Sequence, residues 1–112
     1  MSLRGKPEKI GEFSTSFDLK NVRPFLERLR PIIASGFGGP QIDEVSKLAS
    51  TLKHDQEQEL KFTIQHRGIK TTLRIVVFMD DINSPDVFFF APESLTARIQ
   101  EEFEKFAEEL GI

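Results

Sequence analysis

Residues 60–91 read LKFTIQHRGIKTTLRIVVFMDDINSPDVFFFA, and their pattern decides the fold. Leu60, Phe62 and Ile64 alternate with Lys61, Thr63 and Gln65. A period of two sends successive side chains to opposite faces of a strand. Gly68 supplies a turn, and Ile69, Thr71, Leu73, Ile75, Val77 and Met79 run back on one parity, so the pair is a β-hairpin. Asp80-Asp81-Ile82-Asn83-Ser84-Pro85 reads as a loop and Val87 to Ala91 as a third strand.

Alternation breaks down in the middle of this stretch. Ile75 to Met79 are apolar on both parities, and Val87, Phe88, Phe89 and Phe90 repeat the pattern. A sheet with helices on one side keeps its other face polar. Here Val76, Phe78 and one parity of the Phe triplet need a cover, because each fully buried Phe is worth about 1.5–3 kcal/mol and several left wet favour association. Two covers are open: a second copy of the chain, or the 41–54 segment crossing to the far face. Symmetric pairs are the commonest soluble assemblies. A homodimer is therefore the expected state, with Val76, Phe78, Phe88, Phe89 and Phe90 as the candidate interface.

Residues 1–11 are polar, with Gly5, Pro7 and Gly11, and read as a flexible amino-terminal arm ahead of a single domain over 12–112. From Glu12 the alternation is strict: Phe13, Thr15, Phe17 and Leu19 share one parity, and Glu12, Ser14, Ser16 and Asp18 the other, which predicts a half-buried strand. Asn21 is placed to cap a helix whose apolar stripe is Val22, Phe25, Leu26, Leu29, Ile32 and Ile33. Pro24 fits its first turn, whereas Pro31 predicts a kink or an end near Arg30. Gly36-Phe37-Gly38-Gly39-Pro40 breaks the chain, with Phe37 as a plug onto the core. Ile42, Val45, Leu48, Ala49 and Leu52 have helical spacing; the competing reading of 41–54 is a strand through Leu48, Ser50 and Leu52. Pro92 and Glu93 open a last helix with Leu95, Ile99, Phe103, Phe106 and Leu110 inward and Gly111 as its stop. Strands and helices segregate, so the class is α+β: an antiparallel sheet of the amino-terminal strand and the meander, with helices mainly on one face.

Composition excludes several activities. With 112 residues and no Cys, the chain forms one domain without disulfides, thiolate metal sites or a cysteine nucleophile. The longest apolar run, Ile75 to Met79, is far short of a membrane span, and no targeting pattern precedes the first strand; a cytoplasmic protein away from membranes is expected. The net charge of −3 divides into seven basic against four acidic residues over 1–35 and eight against fourteen beyond. Nucleic acid is not the expected partner, because phosphate neutralisation needs a cationic surface. The order helix, meander, helix resembles that of double-stranded-RNA-binding domains. That family docks through a Lys-rich start of its last helix, where this chain has Pro92-Glu93-Ser94-Leu95, so the resemblance stops at topology.

Candidate chemistry is sparse. Asp80, Asp81, Asn83 and Asp86 cluster oxygens, but without the alternation, following Gly and closing Glu of a calcium loop. The Gly-rich segment lacks the Lys of a phosphate-cradling loop. The acids at 101, 102, 104, 108 and 109 alternate with Arg98 and Lys105 at i,i+4, the pattern of a solvated helix face. All eleven aromatic residues are Phe, which lacks the polar handle of partner-gripping Tyr and Trp. No catalytic residue, metal or cofactor is assigned. The leading expectation is a non-enzymatic interaction or regulatory domain. The alternative is a small-ligand or enzymatic cleft near 36–66, lined by Phe37, His54 and His66, whose ligand the sequence does not name.

Overall fold

The computed structural model describes residues 8–81 and 83–111. Its elements are β1 (Ile10–Ser16), α1 (Leu19–Arg28), α2 (Gly39–Thr51), β2 (Glu57–His66), β3 (Ile69–Asp81), β4 (Ser84–Pro92) and α3 (Glu93–Leu110). The four strands form one antiparallel sheet in the order β1-β4-β3-β2, and the class is α+β. Between β2 and β3 only Arg67 and Gly68 intervene, with φ of 53° and 76°. Two positive φ values make the tight turn whose twist suits a hairpin, and they fix the register that pairs His66 with Ile69.

That register sorts every strand residue. Phe62, Ile64, Leu73, Ile75, Val77, Val87, Phe89 and Ala91 lie on the inner face and are buried. Val22, Phe25, Leu26 and Leu29 of α1, Ile42, Val45 and Ala49 of α2, and Leu95, Ile99 and Phe106 of α3 pack with them in one cluster. All three helices therefore bury against the same side of the sheet. Phe rings tie the layers together: Phe25 lies 5.4 Å from Phe17, 5.4 Å from Phe103 and 5.5 Å from Phe106.

Several boundaries depart from the sequence pattern. β1 begins at Ile10, two residues inside the expected arm, because Ile10 and Gly11 pair with Pro92 and Ala91; residues 1–7 of that arm lie outside the described residues. Leu19 belongs to α1 rather than to the strand. Asn21 lies inside that helix, whose cap is Asp18 in an extended conformation without a side-chain cap bond. The start is set from a distance, since the Leu19 N–H donates to the Asn83 carbonyl at 2.9 Å. α1 ends at Arg28, ahead of Pro31 as its ring requires.

The 41–54 segment is helix. α2 begins at Gly39, and the Gln41 side chain accepts the Gly38 N–H at 2.8 Å. The expected loop over 80–85 is shorter, since Asp81 pairs with Ser84 and a register shift between Phe78 and Asp81 absorbs the irregularity. Pro85 thus enters β4 beside a break in the ladder, where its missing N–H is tolerated. Gly36 has φ of 95° and pairs its segment with β2 through Ser35 and Gln65; a Cβ there would collide with the carbonyl of Thr63.

Candidate functional site

The outer face of the sheet is organised in rows. Across β1, β4, β3 and β2, the first reads Glu12, Phe90, Arg74, Lys61; the second Ser14, Phe88, Val76, Glu59; the third Ser16, Asp86, Phe78, Glu57. Polar and charged residues occupy the two edge strands. Val76, Phe78, Phe88 and Phe90 occupy the two central ones and are only half-buried. Glu12, Glu57, Arg74, Val76, Phe88 and Phe90 line a shallow hollow of about 280 Å³ on this face.

Arg74 organises one end of the stripe. Its guanidinium carbon lies 4.7 Å from the centroid of the Phe90 ring, while Nε donates to Glu59. The ring lies against a planar cation whose charge the carboxylate balances, and the Arg74 side chain remains 43% exposed.

Of the five interface residues expected from the sequence, Phe89 is the exception: it is wholly buried on the inner face, 6.2 Å from both Phe13 and Phe25. A strand alternates, so the Phe triplet is split, with Phe88 and Phe90 out and Phe89 in. Nor does α2 cross to the far side: its apolar stripe joins the inner core. Among the described residues no helix lies over Val76, Phe78, Phe88 and Phe90.

Phe37, His54 and His66 are not brought together. Phe37 is buried and packs edge-on against Phe62 with centroids 5.7 Å apart, a plug on the core. His54 is exposed and lies 3.4 Å from the neighbouring Asp55 carboxylate. It precedes β2, whereas His66 ends it, so a strand of about 30 Å separates them. β2 is one uninterrupted strand, so the two histidines do not share a cleft among the described residues.

His66 instead belongs to a cluster that the sequence did not reveal. Its Nε2 lies 2.6 Å from Ser94 Oγ, near the start of α3. Ser94 Oγ donates to Glu8 Oε2 at 2.8 Å, and the Ser94 backbone N–H donates to Glu8 Oε1 at 3.0 Å. Arg67 lies 3.6 Å from the same carboxylate. With Glu8 ionised, the network assigns a relay from His66 Nε2–H to Ser94 Oγ and from its hydroxyl to Glu8. The polarity is opposite to that of a nucleophilic serine, whose proton passes to the imidazole.

Burial pushes His66 below the ordinary imidazole range; the Glu8 charge opposes this, and Arg67 and Arg98 reinforce it. Glu8 is held below the usual carboxylate range, first by the Ser94 backbone N–H and then by its hydroxyl. The cluster thus caps the start of α3 with a carboxylate that favours the positive end of the helix, a task Pro92 at the cap position leaves undone. Only the shared parity of His66 with Leu60, Phe62 and Ile64 hinted that this histidine points inward.

Among the described residues no three His, Cys, Asp or Glu side chains gather as metal ligands. Asp86 lies on the outer face and accepts from Ser16 across the β1–β4 pair. Among the described residues no helix is long and apolar enough to cross a membrane. Comparison with family models, with curated proteins and with solved structures returns no match.

Proposed function

We propose that this chain is a small non-enzymatic interaction domain that pairs with a second copy of itself through the outer face of its sheet. The observation that carries the reading is the stripe of Val76, Phe78, Phe88 and Phe90 on the two central strands, opposite the face on which all three helices pack. Polar residues on β1 and β2 flank it, as a wet rim surrounds a dry interface core. Sheets that stack face to face lie about 10 Å apart and interdigitate such side chains.

Four strands spaced about 4.8 Å apart, over about six residues of length, make a patch of roughly 19 by 20 Å. That is roughly 380 Å² per copy, below the size of a stable specific interface, so the pairing is weak and is tested at roughly 50 µM. Size-exclusion chromatography with light scattering is expected to return twice the 12.8 kDa of one chain. A strict monomer at that concentration overturns the proposal. Phe78→Asp or Phe88→Asp is expected to leave the circular dichroism unchanged and give the monomer mass. A dimer that survives both substitutions removes this face as the interface and points to pairing through a sheet edge.

A further inference from the structure

Face-to-face pairing about a two-fold axis must use an axis lying between the sheets, and the rows decide its direction. We infer that the axis runs parallel to the strands, so that Glu12 of each copy meets Lys61 of the other; the inference rests on the self-association proposed above. This operation lays β1 over β2 and β4 over β3 of the second copy and keeps each row on itself.

In the first row, Glu12 then faces Lys61 and Phe90 faces Arg74. In the second, Ser14 faces Glu59 and Phe88 faces Val76. In the third, Ser16 faces Glu57, and Asp86, which accepts from Ser16 of its own chain, faces Phe78. No like charges oppose each other. Each Arg74, already 4.7 Å from its own Phe90 ring and 43% exposed, comes to face the second copy's Phe90 as well.

An axis running across the strands gives a different pattern. It sets the second row on itself without reversal, so that Glu59 faces Glu59, while Asp86 meets an aromatic ring, Phe90, as it meets Phe78 about the first axis. Like charges in direct opposition penalise an interface, whereas complementary ones fix its register. The roughly 30° between stacked sheets moves a corner residue by about 5 Å, within reach of a Lys or Glu side chain.

The two residues stand on opposite edges of one sheet, on β1 and β2, with two strands between them. They can couple only across the dimer. Glu12→Lys alone places two lysines together, and Lys61→Glu alone two glutamates, each at two symmetric sites. Each single variant is expected to dimerise about tenfold or more weakly than the wild type. Mixing the two variants in equal amounts restores both pairs in the heterodimer, which sedimentation velocity should show forming with near wild-type affinity.

Two wild-type-like single variants, or a mixture no tighter than its components, would overturn the axis while leaving the dimer standing. Loss of association in the wild type itself would instead overturn the underlying self-association. Weakening by Lys61→Glu alone, with Glu12→Lys neutral, would assign the axis across the strands, where Lys61 faces Glu57.

Discussion

His66 Nε2 sits 2.6 Å from Ser94 Oγ, joining the end of β2 to the start of α3 although 28 residues separate them in the chain. Because burial lowers the folded pKa of His66 below 6.5, the unfolded chain binds the extra proton between the two values. Stability is therefore full above pH 6.5 and falls as pH drops from there towards the lower folded value. Urea unfolding across pH 5 to 7.5 should show this slope, and His66→Gln should flatten it. An unaltered slope in the variant would place the titrating group elsewhere.

A second window belongs to Glu8. Its carboxylate is held below 4.5, so its cap contributes fully above that pH and is lost as pH falls through the folded value. Glu8→Gln should remove the acid-limb change below pH 4.5 and, because the Glu8 charge raises His66, extend the histidine window to lower pH. Amide exchange at the first turn of α3 should accelerate in this variant at neutral pH, because one of the helix's leading N–H groups loses its acceptor.

Neighbouring phenylalanines should behave oppositely. Phe89 is wholly buried between Phe13 and Phe25, so Phe89→Ala should destabilise the fold by about 3–5 kcal/mol. Phe88→Ala, measured at concentrations low enough to keep the chain monomeric, should cost less than about 1.5 kcal/mol, because its ring already meets water. Chemical denaturation of both variants checks the face assignment, and equal losses would contradict it.

Gly36 offers a test of the loop that leads into α2. With φ of 95° and no room for a Cβ beside the Thr63 carbonyl, Gly36→Ala should lower stability by about 2–4 kcal/mol. The Gly39→Ala substitution, where nothing lies within 4 Å of the added carbon, should be near neutral. Thermal unfolding of the pair separates a strained position from an open one.

The strands were legible because their chemistry is local. Leu60 to Met79 carries its own parity and its own turn residue, and the apolar outer parity of β3 is plain in Val76 and Phe78. The helix stripes of α1, α2 and α3 were legible for the same reason. What escaped depends on contacts distant in sequence. Asn21 has the chemistry of a cap, yet the Asn83 carbonyl sets the start of α1 three residues earlier. The assignment of Phe89 to the interface failed because a run of three identical residues conceals which parity the neighbouring strands impose. The Glu8 and Ser94 pair, 86 residues apart, exists only once β1 lies beside β4. The proposed cleft joined Phe37, His54 and His66 by nearness along the chain, whereas β2 keeps the two histidines at its opposite ends.

The placement of β1 has a bearing on how the chain is born. Ser16 meets Asp86, 70 residues further on. At about 5–20 residues per second, the ribosome takes roughly 4–14 s to deliver that partner. Throughout that interval Phe13 and Phe17 have neither β4 nor α3 to shelter them, while the hairpin can close soon after it emerges. A strand near residue 10 thus waits for one near residue 90 before the sheet can cover its phenylalanines.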